Sequence, residues 1–385
     1  MKIAVNTRFL LKNKLEGIGF YTYEVLQRLV EKHPTDEFIF FFDRPYHPDF
    51  IFGKNVTPVV LFPEARHPLL FIGWFEWSVS RALKRCQADV FMSPDNFLCL
   101  NTSIPTLLVV HDMAYKHFSN HDKWVNRLYY RYFMPKFIKK AAHILTVSNY
   151  VASDLSELVS ADKFADTGSD KSEATKVTVA YNGCREEFTP LSITAQKAVK
   201  QQYTEGVDFF LFVGAVHPRK NVHRLIAAFD VFKKQTASPI KLVICGRFAW
   251  QTGLVKTAFD KAIHQKDIIF TGYVPNEEVP KLTASAYAVV YTSLFEGFGL
   301  PILEAMNCDV PVITSNITSM PEVAGDAALL VNPKSISEIA EAMQLLVENR
   351  LLRQDLIERG QRQRQKFSWD KTTDIVYQSL LRILG

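Results

Sequence analysis

Short apolar stretches with many β-branched residues recur along this chain, and segments with helical periodicity separate them. This alternation predicts an α/β fold with parallel sheets, because two parallel strands need a long crossover between them. The series starts again near residue 205, after a segment at 188–200 that has the composition of a linker. The stretches lie at residues 2–6, 38–42, 57–61, 88–92, 106–110, 143–147 and 177–181, and then at 209–213, 241–245, 267–270, 286–292, 310–314 and 328–331.

The length of 385 residues supports a division into two domains, because single hydrophobic cores usually stop growing at about 250–300 residues. We place the first domain at residues 1–190 and the second at 200–366. A last amphipathic helix follows at 367–385, and Ser368 is its predicted N-cap residue. The polar stretch at 160–176 is interpreted as a surface loop.

The composition is that of a soluble globular protein, with 48% hydrophobic and 22% charged residues. The five cysteines are scattered without a Cys-x-x-Cys pair, which indicates reduced thiols in a cytoplasmic protein and argues against a zinc site. The longest apolar stretch, near 68–77, is interrupted and too short to span a bilayer, and nothing directs secretion. A net charge of +5 is compatible with an anionic substrate or an anionic membrane surface and does not require nucleic acid.

Two segments combine aromatic and basic residues, the first at 123–140 and the second at 69–85. Such segments can rest on a membrane surface, with aromatic side chains in the interface and cations near the lipid headgroups. The alternative is a helix that packs its aromatic side inward and leaves its cations in water. For each segment taken alone, this alternative is favoured.

The nine residues from Glu296 to Glu304, Glu-Gly-Phe-Gly-Leu-Pro-Ile-Leu-Glu, join a glycine-rich loop to a helix start between two carboxylates. The apolar stretch before them predicts a buried strand, and Pro301 suits the first turn of a helix, where its missing N–H is no loss. Gly297 and Gly299 allow the backbone to approach a ligand closely, and the helix start favours an anion such as a diphosphate. Both carboxylates can accept hydrogen bonds from hydroxyl groups. The alternative is an ordinary strand-to-helix turn, with Glu304 on a solvated face.

A pair of cations follows the first strand of the second domain. Arg219 and Lys220 come immediately before Asn221, the predicted N-cap residue of the next helix. Ligands bind at the carboxyl ends of strands in open α/β sheets, so two fixed cations there would neutralise a leaving diphosphate. For such a pair taken alone, the alternative of a solvated surface is favoured. Arg247, after the next strand, is a weaker candidate for the same role.

The tripeptide Gly17-Ile-Gly19 lies between the opening strand and a helical run, where N–H groups at the helix start could bind an anion. The dinucleotide-binding pattern Gly-x-Gly-x-x-Gly is incomplete, because Thr22 stands at the third glycine, although Asp43 imitates the expected ribose-binding acid. A nicotinamide or flavin site is therefore disfavoured relative to a tight turn. A loop on the phosphate side of a donor site is favoured over both.

In this order, the motifs resemble those of the retaining glycosyltransferases of family 4, also described as glycosyl transferases group 1. The resemblance covers nearly the whole chain, and it implies two facing Rossmann-like, doubly wound domains with a cleft between them, the GT-B fold. It also implies that the last helix crosses back to the N-terminal domain. Besides the motifs above, it rests on Val110-His-Asp112, Val147-Ser148, Tyr181-Asn-Gly183, Pro218-Arg-Lys-Asn221 and Met320-Pro-Glu-Val-Ala-Gly325.

The resemblance implies roles for individual residues of the second domain. Glu304 looks like the acid that binds the nucleotide ribose, and Lys220, with Arg219, would stabilise the diphosphate. Many members of the family carry an arginine where this chain has Ala215, and Arg219 is the candidate replacement for that charge. The donor sugar and phosphate would be contacted by Glu296 and by the loop residues Gly297, Phe298, Gly299 and Leu300.

In the first domain, the resemblance implies that His111 contacts the donor sugar near the reacting carbon. A His-Asp pair at a strand end can instead serve only to anchor a loop, and that alternative stays open for His111. Gly17 and Gly19 would keep the floor of the cleft open to the donor phosphates and the acceptor.

Glycosyl transfer passes through a transition state that resembles an oxocarbenium ion, while negative charge grows on the departing phosphate. Arg219, Lys220 and the loop amides can stabilise that charge, and closure of the two domains would exclude water. The sequence has no Asp-x-Asp or His-Glu-x-x-His motif, so we predict no metal and no cofactor besides the nucleotide-sugar donor itself. Retention of the anomeric configuration is implied by the resemblance, and we favour same-face transfer in which the leaving phosphate helps to deprotonate the acceptor.

The Pro-Arg-Lys-Asn sequence resembles that of bacterial enzymes that move mannose, rhamnose or similar sugars onto polysaccharide precursors, which favours a GDP- or dTDP-linked donor. The predicted function is therefore a cytoplasmic hexosyltransferase with a saccharide or lipid-linked saccharide acceptor, peripheral on the inner face of the cytoplasmic membrane. The alternatives are a nucleotide-sugar epimerase or a phosphorylase of the same fold, and a non-catalytic subunit that binds sugar nucleotides. The presence of Glu296, Glu304 and Lys220 disfavours the non-catalytic subunit.

Overall fold

The computed structural model describes residues 1–12, 14–118, 124–162, 176–248 and 253–385. The chain divides into two compact units, the first made of Met1–Asn182 and Ser368–Gly385 and the second of Gly183–Phe367. Of the predicted surface loop at 160–176, residues 163–175 lie outside the described residues, and so does Lys123 of the basic aromatic segment.

The first unit ends before residue 190, because the segment after Asn182 packs within the second unit. Arg185 lies over the Phe188 ring at 4.8 Å, and its Nη2 is 3.8 Å from Oε1 of Glu304. The predicted linker at 188–200 is also helical from residue 193 onward, since Ser192 accepts a hydrogen bond from the backbone N–H of Ala195 and so begins a helix.

Within the described residues, the first unit contains one parallel sheet of seven strands. The strands are β1 (Lys2–Asn6), β2 (Glu37–Phe42), β3 (Val56–Val60), β4 (Val90–Ser93), β5 (Thr106–Val110), β6 (His143–Thr146) and β7 (Val177–Val179). Their spatial order is β3-β2-β1-β4-β5-β6-β7. The inner strands are apolar and buried along nearly their whole length, as expected for a parallel sheet with both faces covered.

In the described residues of the first unit, six helices lie between these strands. They are α1 (Gly17–Lys32), α2 (Pro68–Ile72), α3 (Ser80–Cys86), α4 (Ala114–His117), α5 (Trp124–Lys140) and α6 (Asn149–Asp162). A π-helical segment, Gly73–Val79, joins α2 to α3, and a 3₁₀ turn lies at Pro48–Phe50. Helix α1 buries Val25, Leu26 and Leu29, the spacing of an amphipathic helix that covers a sheet.

The described part of the second unit contains a parallel sheet of six strands. The strands are β8 (Phe209–Val213), β9 (Lys241–Cys245), β10 (Ile268–Gly272), β11 (Ala288–Tyr291), β12 (Val312–Ser315) and β13 (Ala328–Val331), in the spatial order β10-β9-β8-β11-β12-β13. The prediction of two Rossmann-like, doubly wound α/β domains is confirmed.

The helices of the second unit are α7 (Ile193–Thr204), α8 (Val222–Thr236), α9 (Gly253–Lys261), α10 (Val279–Ala284), α11 (Leu300–Asn307), α12 (Met320–Ala324), α13 (Ile336–Glu348) and α14 (Arg350–Gln363). Short 3₁₀ turns lie at Pro218–Lys220, Gln265–Asp267 and Arg364–Lys366.

The last helix, α15 (Trp369–Leu384), belongs to the first unit. The Ser368 side chain accepts a hydrogen bond from the backbone N–H of Asp370 and caps the helix. On α1, Lys32 forms ion pairs with Asp370 at 2.9 Å and Asp374 at 3.1 Å. These contacts fix α15 against α1.

Each sheet has one place where the strand order reverses direction. In the first sheet this place lies between β1 and β4, and in the second between β8 and β11. Ligands of open α/β sheets bind outside the carboxyl ends of the strands at such a reversal. The loops that follow these four strands are therefore the places to search for functional side chains.

Candidate active site

The reversal point of the second sheet brings together three of the predicted residues. Lys220 Nζ lies 2.6 Å from Oε1 of Glu296, and Arg219 Nη1 lies 3.9 Å from its Oε2. Tyr291, the last residue of β11, donates its hydroxyl to the same Oε1 at 2.9 Å and lies 2.5 Å from Lys220 Nζ. The sequence predicts only a strand at Tyr291, so its place in this cluster is a finding of the structure.

Asn221 fixes the cation turn to the end of β11, but it does not cap α8 with its side chain as predicted. Its Nδ2 donates to the carbonyl oxygens of Thr292 at 3.0 Å and Pro333 at 2.6 Å. A side-chain cap needs an extended backbone at the N-cap position, whereas Asn221 has a left-handed conformation with φ +62°. The predicted cap is therefore wrong, and the amide instead ties three loops together.

Glu296 is buried, and its charge is set by two opposing effects. Burial raises the pKa of its carboxyl group, while Lys220 and Arg219 lower it, and the result is a pKa below the ordinary value. The carboxyl group is therefore ionised at neutral pH. Burial and the Glu296 charge raise the pKa of the Tyr291 hydroxyl well above its usual range, so this hydroxyl stays a donor.

The glycine loop leads into α11 through a left-handed residue. Gly299 has φ +103°, and a Cβ there would lie 3.1 Å from Cδ1 of Ile302, so a side chain is disfavoured on both counts. Pro301 occupies the first turn of α11, as predicted. Leu300 begins the helix and is partly exposed, while Phe298 is buried with its ring 5.6 Å from that of Phe367.

Ser319 orients the loop, a role that no sequence pattern indicated. Its buried Oγ lies 2.9 Å from the carbonyl oxygen of Glu296 and 3.0 Å from that of Phe298. Because the N–H of a trans peptide points opposite to its C=O, the amides of Gly297 and Gly299 are directed away from Ser319. The loop thus presents alternate N–H groups on one side, next to the start of α11.

Glu304 lies in the second turn of α11, and its side chain is only 13% exposed. The alternative of a carboxylate on a solvated face therefore does not hold. Burial raises the pKa of Glu304, and Arg185, with Nη2 at 3.8 Å, lowers it without cancelling the effect of burial. Arg185 was not a candidate in the sequence, because no local pattern links the residues after Asn182 to a helix more than a hundred positions later.

His111 follows β5 in the first unit, where its ring is fixed on one side. Nε2 lies 2.8 Å from the carbonyl oxygen of Pro94, and the ring meets Tyr21 edge to face at 4.9 Å. Burial lowers the pKa of His111 in spite of the Pro94 contact and the nearby Asp112. A neutral imidazole that donates from Nε2 to this carbonyl leaves Nδ1 as a hydrogen-bond acceptor.

Gly17 and Gly19 lie in the first turn of α1 rather than in the loop before it, and they differ in environment. A Cβ on Gly19 would lie 2.9 Å from the carbonyl oxygen of Phe9 and 3.2 Å from the Leu15 side chain. Gly19 is thus explained by the packing of α1 against the preceding loop. A Cβ on Gly17 would meet nothing within 4 Å, so Gly17 is the more open of the two positions.

A second polar cluster, absent from the sequence predictions, lies at the reversal point of the first sheet. Arg8 Nε donates to Oδ2 of Asp95 at 2.5 Å, and both side chains are buried. Asn6 Nδ2 donates to Ser93 Oγ at 3.0 Å, and Ser93 Oγ donates to Asp95 Oδ1 at 3.1 Å. We call these four residues the Arg8 cluster. The available sequence signal was the position of Arg8 and Asp95, each two residues after a strand end.

Neither a cluster of metal-binding side chains nor a membrane-spanning helix is found among the described residues. No group of three or more His, Cys, Asp or Glu side chains within these ranges is placed to hold a metal ion. No helix in the same ranges is both long and apolar enough to cross a bilayer.

Two family models match this chain in succession. The model described as Glycosyltransferase Family 4 matches residues 15–165, and the model described as Glycosyl transferases group 1 matches residues 194–363. O-antigen chain mannosyltransferase B of Escherichia coli is 28% identical over 374 residues, which cover 94% of this chain and 95% of that protein. O-antigen chain mannosyltransferase RfbU of Salmonella typhimurium is 32% identical over 59% of this chain and 56% of its own length.

Solved structures share the fold at low sequence identity. HepE of Anabaena, crystallised with UDP and glucose, has a TM-score of 0.75 and 17% identity over 99% of both chains. WaaG, a glycosyltransferase involved in lipopolysaccharide biosynthesis, has a TM-score of 0.74 and 15% identity over 97% of this chain and 99% of its own. With both family models and the relatives in agreement, the chain belongs to the glycosyltransferases of family 4.

Proposed function

We propose that this protein is a retaining glycosyltransferase that moves mannose, or a similar hexose, from a nucleoside diphosphate donor to a saccharide or lipid-linked saccharide in bacterial polysaccharide synthesis. The observation that carries the proposal is the grouping of Arg219 and Lys220 around Glu296 at the reversal point of the second sheet. The names of the relatives, O-antigen mannosyltransferases from two bacteria, support the choice of sugar and pathway.

The charge of this group suits a leaving diphosphate. Two cations and one carboxylate leave a net charge of +1, so the group attracts an anion while Glu296 holds Lys220 in a fixed place. Negative charge grows on the departing phosphate in the transition state, and fixed cations that need no rearrangement stabilise it best. We assign this role to Arg219 and Lys220, without a divalent ion.

The start of α11 offers the donor a second set of contacts. Its backbone N–H groups and the positive end of the helix dipole favour a phosphate, and Gly299, with φ +103°, provides the left-handed turn that leads into this helix start. One turn further along, Glu304 is placed to accept hydrogen bonds from the ribose hydroxyls. Arg185 beside it helps to keep that carboxylate ionised.

The transfer itself is proposed to occur on one face of the sugar. The bond from the anomeric carbon to the departing phosphate oxygen breaks, and a bond from the same carbon to the acceptor oxygen forms. The acceptor hydroxyl gives its proton to the departing phosphate, which becomes basic as the bond breaks. His111, neutral and with Nδ1 as acceptor, would hold a hydroxyl of the donor sugar near this carbon.

We further propose that the first unit rests on an anionic membrane surface. Helix α5 has no acidic residue in its seventeen positions. The described side chains of α2, α3 and the π-helical segment include one acid, Glu76. Its carboxylate accepts hydrogen bonds from the backbone N–H groups of Leu100 and Asn101. Apolar side chains are strongly exposed in both segments, with Leu69 at 71% and Trp77 at 65% in one and Leu128 at 60% in α5. The exposed cations are Arg81, Lys84, Arg85, Arg127, Arg131, Lys136, Lys139 and Lys140.

Flotation with liposomes tests the membrane proposal. Each cation near an anionic surface contributes about 1 kcal/mol, so vesicles with anionic lipids should carry the protein at low salt and release it at high salt. Replacing Trp77 and Leu69 by serine should weaken binding at either salt concentration. Failure to float with anionic vesicles at low salt would contradict the membrane proposal and leave the transfer reaction untouched.

Nucleotide binding and product analysis test the reaction. Thermal unfolding with GDP, UDP, dTDP, CMP and NAD in turn should give stabilisation by one nucleoside diphosphate, about 2.7 kcal/mol at 100 times its dissociation constant. The same nucleotide should then serve as the donor in a transfer assay with EDTA present. An epimerase or a phosphorylase would be identified by a product that forms from the sugar nucleotide without a saccharide acceptor.

A further inference from the structure

The Arg8 cluster occupies, in the first sheet, the position that Lys220 and Glu296 occupy in the second. Arg8 follows β1 and Asp95 follows β4, and these two strands flank the reversal of strand order. In open α/β sheets this is the place where ligands bind. The first unit therefore has a buried ion pair where a ligand site is expected.

The guanidinium group of Arg8 has donors left for a ligand. Its Nε is bonded to Asp95, but within the described ranges no oxygen accepts a hydrogen bond from Nη1 or Nη2. The residue is only 5% exposed, and buried donors without acceptors are uncommon in folded proteins. Neither Nη atom is completely enclosed by protein, so both remain accessible to a small ligand.

Aromatic rings surround the same guanidinium group. The ring centroids lie at 4.2 Å for Phe97, 4.8 Å for Phe9, 4.9 Å for Phe71 and 5.5 Å for Phe75. Phe75 and Phe97 are buried, whereas Phe9 and Phe71 are partly exposed. The site thus combines aromatic faces that a ligand can reach with two N–H donor groups in a fixed plane.

The charge of the cluster distinguishes between classes of ligand. Asp95 is buried next to Arg8 and neutralises its charge, so a phosphate or carboxylate gains little here. The Asp95 carboxylate is held by Ser93 and by the backbone N–H of Phe97, which prevents it from turning away. An uncharged sugar ring fits better. Its hydroxyl oxygens can accept hydrogen bonds from Arg8, and its C–H face can pack against the negative face of an aromatic ring.

We propose that Arg8, with Phe9 and Phe71, binds a sugar ring of the acceptor saccharide. The assignment of this saccharide as the acceptor rests on the proposed transfer reaction. Phe71 belongs to α2, the helix that also exposes Leu69 and Leu70. One short helix thus joins the sugar-binding position to the apolar surface assigned to the membrane. This arrangement suits an acceptor whose saccharide is attached to a lipid.

Saturation-transfer NMR of the whole protein tests the binding step without turnover. The probes are the methyl glycosides of mannose, rhamnose, galactose and N-acetylglucosamine. Inorganic phosphate is the anionic comparison, and its binding is followed by the ³¹P line width. We expect transfer to at least one glycoside, lost in Arg8→Met and weakened in Phe71→Leu. The matched control is Arg44→Met, which removes another Arg–Asp pair of the same unit. In that pair, Arg44 donates from both Nε and Nη2 to the carboxylate of Asp43. If Arg8→Met does not fold, Arg8→Lys and Phe71→Leu decide the question.

Kinetics then separate this proposal from the transfer reaction. Loss of hydrogen bonds from a charged donor should raise the acceptor KM at least tenfold in the Arg8 variants, with the donor KM nearly unchanged. Glycoside binding that persists in Arg8→Met, binding of phosphate alone, or no glycoside bound by the wild type would each overturn the proposal. Normal transfer with an unchanged acceptor KM would refute only the role of Arg8. Glycoside binding that depends on Arg8, without transfer to any acceptor, would refute only the reaction.

Discussion

Lys220 Nζ lies 2.6 Å from Oε1 of Glu296, although 76 positions separate the two residues in the sequence. They meet because β8 and β11 are neighbours in the sheet, and each residue lies in the loop that leaves one of these strands. Asn221 and Tyr291 hold the two loops together on either side of this contact. The parallel sheet thus turns two separate stretches of sequence into one charged group.

Replacing Lys220 by methionine should reduce kcat more than it changes substrate binding. Removal of one preorganised group that stabilises developing charge costs about 10²–10³ in rate. Stability should also fall by about 3 kcal/mol, because buried Glu296 then depends on the more distant Arg219, at 3.9 Å, for a cationic partner. Steady-state kinetics and urea unfolding measure the two effects separately.

Two further variants show whether these effects have the stated cause. The double variant Lys220→Met, Glu296→Gln should regain most of the lost stability without regaining activity, because the buried charge is removed together with its partner. Lys241→Met removes an ion pair with exposed Glu205 in the same unit and should change neither quantity much. Equal losses in Lys241→Met and Lys220→Met would argue against a specific role for Lys220.

Glu304→Gln should stabilise the ligand-free protein at neutral pH. Burial raises the pKa of Glu304 in the folded state, so the folded protein binds more protons than the unfolded chain between the two pKa values. Stability from this group is therefore present at low pH and is lost as the pH rises through the folded pKa. As the pH rises from acid to neutral, the free energy of unfolding of Glu304→Gln should increase relative to that of the wild type. A variant that is less stable at neutral pH would contradict the assigned environment.

Arg185 should control the pH dependence of donor binding through Glu304. Arg185→Met removes the cation 3.8 Å from this carboxylate, and its loss raises the Glu304 pKa further. The rise in donor KM on acidification should then begin at a higher pH, with kcat little affected at neutral pH. Arg185→Lys should restore much of the wild-type profile. An unchanged profile in Arg185→Met would show that Glu304 does not depend on Arg185 for its charge.

Asn221 should be sensitive to substitution for two separable reasons. Alanine would lose both hydrogen bonds to buried carbonyl groups and would also strain the left-handed backbone at φ +62°. Glycine would lose the same bonds but would relieve the strain. We expect thermal unfolding to rank wild type above glycine and glycine above alanine, with the activity reduced in both. Similar stability of all three would mean that the amide does not hold the loops.

The two glycines at the start of α1 form a matched pair. Gly19→Ala would place a Cβ 2.9 Å from the carbonyl oxygen of Phe9 and should lower the melting temperature clearly. Gly17→Ala meets nothing within 4 Å and should leave the melting temperature unchanged. A loss of activity in Gly17→Ala would then report contact with substrate. Full activity in that variant would remove Gly17 from the list of donor-binding residues.

The fold and the main motif could be predicted from the sequence, because they depend on local patterns. Apolar stretches, turn residues and the proline of α11 give strands, loops and a helix start in the right order. Tyr291, Ser319 and Arg185 could not be assigned a role, since each acts through a partner in another loop. The Asn221 prediction failed because its left-handed backbone is set by the loops around it, not by the cap pattern.

The sequence predicted part of the cluster around Glu296 in the second sheet, but it did not predict the Arg8 cluster in the first sheet. Arg219 and Lys220 are adjacent in sequence, so they form a visible pair at the end of a strand. Arg8 and Asp95 are 87 positions apart, and each is an unremarkable polar residue in its own loop. Only the pairing of β1 with β4 brings them together.

The transfer reaction itself, with its product identified by NMR, tests the proposed function most directly. With the sugar nucleotide whose nucleoside diphosphate stabilises the protein, a saccharide acceptor and EDTA, we predict a glycoside with the anomeric configuration of the donor. Its formation should require the acceptor and should be abolished or nearly so in Lys220→Met. A product of inverted configuration, turnover that needs no acceptor, or full activity in Lys220→Met would contradict the account.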